Sequence, residues 1–180
     1  MIKALPNVLS FFRLLSVFLV VPFTLKKDFG LAIVIFAIAA ISDFLDGYIA
    51  RKFKIVSKIG AMLDPLADKV LITASYALLA WINLIPLYVA AIVIARDVII
   101  LFVILVNRIF KVNLEIHPLM SSKINTTFQL IFVLLVLSCN YLATSVPSLM
   151  KICEIIVCIS TIFSGAEYAY KYYQIKIFKR

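Results

Sequence analysis

Four aspartates break the apolar character of the stretch "SDFLDGYIARKFKIVSKIGAMLDPLADKV", residues 42–70 of a chain that is 64% hydrophobic. Asp43 and Asp46 are three residues apart and Asp64 and Asp68 four apart, spacings that stack side chains on one face of a helix. Only a short polar segment, "KFKIVSK", separates the two pairs. Two helices joined so closely are expected to run antiparallel and adjacent, with all four carboxylates converging at one end of the pair. Like charges so close repel strongly, and each bare charge at membrane depth costs several kcal/mol. Arg51, Lys69 and Arg96 offer partial neutralisation. A convergent all-oxygen cluster is also the ligand set of hard divalent cations, Mg²⁺ or Mn²⁺. Two such ions balance four carboxylates and can bridge a diphosphate.

The residues between the pairs favour a phosphate-bearing ligand over a bare ion. Gly47 follows Asp46 inside a helix, where glycine costs about 1 kcal/mol relative to alanine, and Ala50 lies one turn further on. Together they allow a ligand to approach the backbone, although small residues also serve plain helix packing. Arg51 can fork onto phosphate. Gly60 again removes a side chain facing the cluster. Pro65 has no amide proton and is expected to kink its helix beside Asp64. Two other readings of the aspartates are a structural network with Lys69 and Arg96, and the ion site of a divalent cation transporter. The transporter reading lacks acidic residues along a path across the membrane and lacks an inverted repeat.

The elements that position these residues follow from composition. The chain has 180 residues, with 14 Phe and 8 Tyr, and a mean hydropathy of +1.11. Apolar runs near residues 5–25, 29–50, 59–82, 86–107, 119–140 and 147–170 each reach the roughly 20 residues that span a bilayer core. The expected fold is all-α: six transmembrane helices in one bundle domain, residues 1–180, with the site at the cytoplasmic end of helices 2 and 3. The first run continues too far for a signal peptide. Arg51, Lys52, Lys54 and Lys58, with both basic termini, fall on one side, and Lys26, Lys27 and Lys151 on the other. By the positive-inside rule both termini are cytoplasmic, and the short chain favours a bacterial inner membrane. The net charge of +9 has no interleaved aromatic pattern pointing to nucleic acid. Cys139, Cys153 and Cys158 have no metal-ligand spacing and read as small buried hydrophobes. His117, before Pro118, reads as a loop residue.

Written out, the pattern is D-x2-D-G-x2-A-R-x8-G-x3-D-x3-D, eight fixed positions in 26 residues from Asp43 to Asp68. It resembles the signature of the CDP-alcohol phosphatidyltransferase family, as do the "PNVLSFFR" opening and the "SSKINTTFQ" start of the fifth helix. The resemblance implies that Asp43, Asp46, Asp64 and Asp68 hold two divalent ions on the cytidine diphosphate. It also implies that Asp68 is the general base, and that Gly47, Ala50, Arg51 and Gly60 line the CDP site. The implied donor is CDP-diacylglycerol, drawn from membrane lipid, the leaving group is CMP, and the implied assembly is a homodimer.

The acceptor is read from the fourth and fifth helices. "LDPLADK" is similar to the glycerol-acceptor branch, which uses glycerol 3-phosphate (phosphatidylglycerophosphate synthases) or phosphatidylglycerol (cardiolipin synthases). The glycerol 3-phosphate type carries Arg-Glu, then a Ser and a second Arg. Here Arg96 is followed by Asp97, and apolar Leu101 and Ile104 occupy the later positions. That departure, with "RDV" and the Tyr-rich "EYAYKYY", leans to phosphatidylglycerol. Arg96 and Lys123 are the expected anchors for the acceptor's phosphate, with snorkelling or pairing to Asp97 as their structural alternative. Leu101→Ser combined with Ile104→Arg is expected to raise CMP release with glycerol 3-phosphate as acceptor, and no gain counts against this reading of the fourth helix.

Overall fold

A computed structural model describes the backbone of residues 5–53, 60–109 and 120–178, and the side chains of residues 15–42, 69–102 and 120–171. Among the described residues the chain forms six helices: α1 (Leu5–Leu25), α2 (Phe29–Phe53), α3 (Gly60–Trp81), α4 (Leu87–Ile109), α5 (Met120–Tyr141) and α6 (Pro147–Phe178). They fall on the six apolar runs, as expected where every backbone polar group must be satisfied within its own helix. The largest departure is α6. Its 32 residues measure about 48 Å at the usual rise, well beyond a hydrocarbon core of about 30 Å. The Tyr- and Lys-rich ending continues the helix instead of terminating it, because it holds neither Gly nor Pro.

Three tight reversals pair the helices as hairpins: α1 with α2, α3 with α4, and α5 with α6. Each reversal uses the same cap. Asp28 N donates to Phe23 O at 2.9 Å and Lys27 N to Thr24 O at 3.0 Å. Leu84 N donates to Leu79 O at 2.8 Å and Asn83 N to Ala80 O at 3.1 Å, and Thr144 N and Ala143 N repeat the pair onto Cys139 O and Asn140 O. These are Schellman closures, which need a left-handed residue. Lys27 (φ 61°), Asn83 (φ 58°) and Ala143 (φ 50°) take that place without glycine. The next helices start on compatible residues: the Asp28 carboxylate accepts from Leu31 N at 3.3 Å, and Pro147 opens α6, where its missing amide proton is no loss.

A single core joins all six helices, built from Val20, Phe36, Ile72, Tyr76, Leu79, Val93, Phe132, Val136 and Val157 among others. Packing is strongest for α1 on α2 and on α3, for α5 on α6 and on α2, and for α4 on α3 and on α6. Among the described residues α2 and α3, expected side by side, are not one of the strongly packed pairs, and α1 lies against both. Their connection, residues 54–59, still limits the separation of the facing ends to roughly 25 Å. Helix α1 packs on each of them.

The outward surface is apolar. Phe18, Ile38, Ile99, Phe128, Ile159 and Phe163 are all exposed, and Trp81, at the end of α3, is 82% exposed. Helices α5 (Met120–Tyr141) and α6 (over Pro147–Lys171) are long and apolar enough to cross a membrane. An exterior of this kind fits membrane insertion, and Trp81, Tyr88 and Tyr141 at the hairpin end fit the aromatic belt of a bilayer interface. Ala143→Gly relieves a left-handed alanine and is expected to stabilise the fold by about 1 kcal/mol, seen as a higher unfolding midpoint of the detergent-solubilised protein.

Candidate active site

The eight signature positions lie on two consecutive helices. Asp43, Asp46, Gly47, Ala50 and Arg51 belong to the C-terminal part of α2, and Gly60, Asp64 and Asp68 to the first turns of α3. The backbone of α3 is assigned as helix through Pro65. The side chains of these eight residues lie outside the described residues, as does His117 altogether. Among the described residues no group of three or more His, Cys, Asp or Glu comes together. The donor set itself fits a divalent cation: four carboxylates, at helical spacings within each pair, with no nitrogen or sulfur ligand in the pattern.

The described interior carries a second ionic group directly beside this stretch. Lys69, the residue after Asp68 in α3, places Nζ 2.6 Å from Asp97 Oδ1 in α4. Arg96 Nη1 lies 2.6 Å from the same oxygen. Asp97 is fully buried and Arg96 only 5% exposed, so these charges are removed from solvent. Consecutive helical residues normally point about 100° apart, and Arg96 meets Asp97 only because its long side chain folds back. Its Nη2 donates to Ser122 Oγ in α5 and to Ser164 Oγ in α6, each at 2.7 Å. Gly165 lies against its stem: a Cβ there would stand 3.5 Å from Arg96 Cγ, an ordinary van der Waals contact. One guanidinium thus ties α4, α5 and α6, and Asp97 carries the tie to α3.

Below this group runs a ladder of neutral polar side chains between α5 and α6. Asn125 Oδ1 accepts from Ser160 Oγ at 2.8 Å and Thr161 Oγ1 at 2.9 Å. Gln129 Nε2 donates to Thr161 Oγ1 at 3.2 Å, and Tyr76 Oη donates to the Gln129 carbonyl at 3.2 Å. Several buried polar atoms have no protein partner: Arg96 Nε, Asp97 Oδ2, Ser121 Oγ, Asn125 Nδ2 and Gln129 Oε1. Leaving such groups unpaired is costly.

Of the two expected acceptor anchors, Arg96 stands in this layer and Lys123 on the exposed side of α5. The pairing of Arg96 with Asp97 raised as a structural alternative is present, and it coexists with an unengaged Nε. Lys69 and Arg96, considered as counterions for the four aspartates, have Asp97 as their ionic partner among the described residues. The three cysteines are free and half-buried, which agrees with a packing role. Sequence reading missed Ser122, Asn125, Gln129, Thr161 and Ser164. A signal existed: Ser122, Asn125 and Gln129 follow an i, i+3, i+7 pattern, the mark of one helix face, inside an otherwise apolar run.

A helical bundle with an apolar exterior, a buried ionic layer and a four-aspartate signature across two consecutive helices fits a family of membrane proteins. A family model described as CDP-alcohol phosphatidyltransferase matches residues 3–164, and the chain belongs to that family. The cardiolipin synthase (CMP-forming) of Rattus norvegicus is 32% identical over 188 aligned residues, which cover 94% of this chain and 60% of that protein. The protein of the same name in Homo sapiens is 33% identical over the same shares. The CDP-diacylglycerol-glycerol-3-phosphate 3-phosphatidyltransferase of Rickettsia bellii is 29% identical, covering 91% of this chain and 92% of that protein. The chain thus spans about 60% of the length of these two cardiolipin synthases.

Asp97 holds two cations in a buried setting, so removing its charge leaves both without a partner. Asp97→Asn is expected to destabilise the fold by about 3–5 kcal/mol. A second change, Lys69→Met, is expected to recover part of that loss. Thermal unfolding of the two variants in detergent measures the coupling between the sites.

Proposed function

We propose that this protein is a membrane-embedded phosphatidyltransferase that moves a phosphatidyl group from CDP-diacylglycerol to a glycerol hydroxyl and releases CMP. The observation that carries the reading is the D-x2-D-G-x2-A-R-x8-G-x3-D-x3-D pattern falling on the joined ends of α2 and α3, within the residues matched by the family model. The acceptor we favour is phosphatidylglycerol, giving cardiolipin. Two features support it: apolar Leu101 and Ile104 where the glycerol 3-phosphate type has polar residues, and similarity to cardiolipin synthases across 94% of the chain. A second reading, transfer to glycerol 3-phosphate, is favoured by the Rickettsia bellii relative, which matches nearly end to end.

In this reading all six helices cross the membrane with both termini on the cytoplasmic side, and the donor enters sideways from the leaflet. The setting is a bacterial inner membrane and the assembly a homodimer. Gly47, Ala50 and Gly60 let the nucleotide approach the helix backbones, and Arg51 contacts its phosphates. Asp43, Asp46, Asp64 and Asp68 would hold two divalent cations, Mg²⁺ or Mn²⁺, which when bound neutralise the diphosphate and acidify the acceptor hydroxyl. Asp68 takes the hydroxyl proton as the acceptor oxygen forms its bond to the phosphorus that bears diacylglycerol. The bond from that phosphorus to the bridging oxygen breaks, and CMP leaves with the electron pair. Arg96 holds the acceptor's phosphate, and the apolar surroundings strengthen each of these electrostatic contacts.

Purified protein in detergent is given CDP-diacylglycerol and Mg²⁺ with either phosphatidylglycerol or glycerol 3-phosphate, and CMP and the lipid product are measured. CMP with phosphatidylglycerol and a cardiolipin product is expected. CMP with glycerol 3-phosphate alone overturns the acceptor assignment. CMP with neither acceptor, in folded protein, overturns the glycerol-acceptor reading. Asp68→Asn is expected to keep CDP-diacylglycerol binding while turnover falls by about 10² or more, and wild-type turnover in that variant removes Asp68 as the base.

A further inference from the structure

The carboxylates proposed to hold divalent cations come from two helices that, among the described residues, are not a strongly packed pair. Asp43 and Asp46 belong to α2, and Asp64 and Asp68 to the first turns of α3. Ligands of one cation have to be held within roughly 0.5 Å of the working geometry. Contacts other than α2 on α3 must therefore fix how α3 stands in the bundle.

Apolar packing does this poorly. Leu71, Ile72, Tyr76 and Leu79 of α3 are buried in the core, yet apolar contact in a bilayer leaves the rotation and sliding of a helix weakly constrained. Among the described residues the polar contact of α3 nearest to Asp68 is Lys69 Nζ on Asp97 Oδ1, at 2.6 Å. The next, Tyr76 Oη on the Gln129 carbonyl, lies about two turns further along. Asp97 is a firm anchor, fully buried and held on the same oxygen by Arg96 Nη1. Arg96 in turn donates to Ser122 of α5 and Ser164 of α6. These bonds matter for α4, because at this level a groove of about 690 Å³, lined by Ala95, Gly165, Ala166 and Ala169 among others, opens between α4 and α6. Lys69 is thus held against a carboxylate that three other helices keep in place.

Resting on the proposed metal-dependent transfer, we infer that Lys69 is a positioning residue. Its pair with Asp97 fixes the rotation and height of the first turns of α3, and so the place of Asp64 and Asp68 in the cation site. Lys69 follows Asp68 on one continuous helix, so a single peptide unit carries the restraint. Positions 64 and 68, four apart, fall on one face of α3, and position 69 stands about 100° round from 68. A purely electrostatic role for Lys69 has the opposite consequence. A lysine beside a cation site repels the cation, so loss of its charge alone tightens binding, whereas loss of the tie weakens it. The sign of the change decides.

Electron paramagnetic resonance of Mn²⁺ titrated into the detergent-purified protein reads that sign, with the metal alone as probe and no turnover required. Lys69→Met leaves Asp97 paired with Arg96 and is expected to weaken Mn²⁺ binding by about tenfold or more, the usual loss when a group that orients a metal ligand is removed. Lys69→Arg keeps a cation for Asp97 and is expected to stay close to the wild type. Thr161→Val breaks buried bonds to Asn125 and Gln129 between α5 and α6, and is expected to lower the melting temperature with Mn²⁺ affinity unchanged. Circular dichroism melting identifies a variant that fails to fold, and Lys69→Gln then replaces Lys69→Met. Unchanged or tighter Mn²⁺ binding in the folded Lys69 variant overturns the inference. So does an equal loss in Thr161→Val, since general loosening of the bundle would then account for it. A wild type that binds no Mn²⁺ overturns the cation site together with the tie. CMP release from CDP-diacylglycerol in the same samples separates the two readings: a Lys69-dependent Mn²⁺ site without CMP supports the positioning role and overturns the transfer reaction.

Discussion

A carboxylate oxygen that serves two cations in an apolar interior constrains much of this fold. Asp97 Oδ1 lies 2.6 Å from both Lys69 Nζ and Arg96 Nη1, and these charges stay folded away from water only while all three remain in place. The guanidinium reaches Ser122 and Ser164, so the position of one side chain is coupled to four helices. Apolar packing alone would let helices slide with little penalty, because a lipid tail and a leucine are nearly equivalent neighbours. Ionic and amide contacts supply the register that hydrophobicity cannot. The Asn125–Gln129–Thr161 ladder extends this control along α5 and α6.

The same layer has a chemical consequence. Ion clusters built only for stability tend to satisfy every polar atom, since each unpaired one is expensive. Here Arg96 Nε and Asp97 Oδ2 remain without protein partners, next in sequence and space to the helix that bears Asp64 and Asp68. Lys123, by contrast, lies on the exposed side of α5.

Turn chemistry supports the layer from the opposite end. Three Schellman closures at Lys27, Asn83 and Ala143 reverse the chain within a few residues and hold each hairpin's helices together at one end. The other ends are joined through longer segments.

Much of this was legible in the amino-acid order. Apolar runs of bilayer length located all six helices to within a few residues at most ends, because backbone satisfaction in lipid leaves few alternatives. The spacing of the aspartates, Gly47, Ala50, Arg51 and Gly60 carried the family, since a signature of residue types and intervals within two consecutive helices is readable along the chain. The end of α6 was misjudged because hydropathy marks where a helix leaves lipid, whereas helix propensity decides where it stops. Only the tertiary structure decided that α1 packs against both α2 and α3, that Arg96 and Lys69 share Asp97, and that small residues of α4 and α6 leave a groove beside that charge. Those outcomes depend on which faces meet between segments tens of residues apart. A one-dimensional pattern states which face of a helix is polar, and only the packed bundle decides which other helix that face meets.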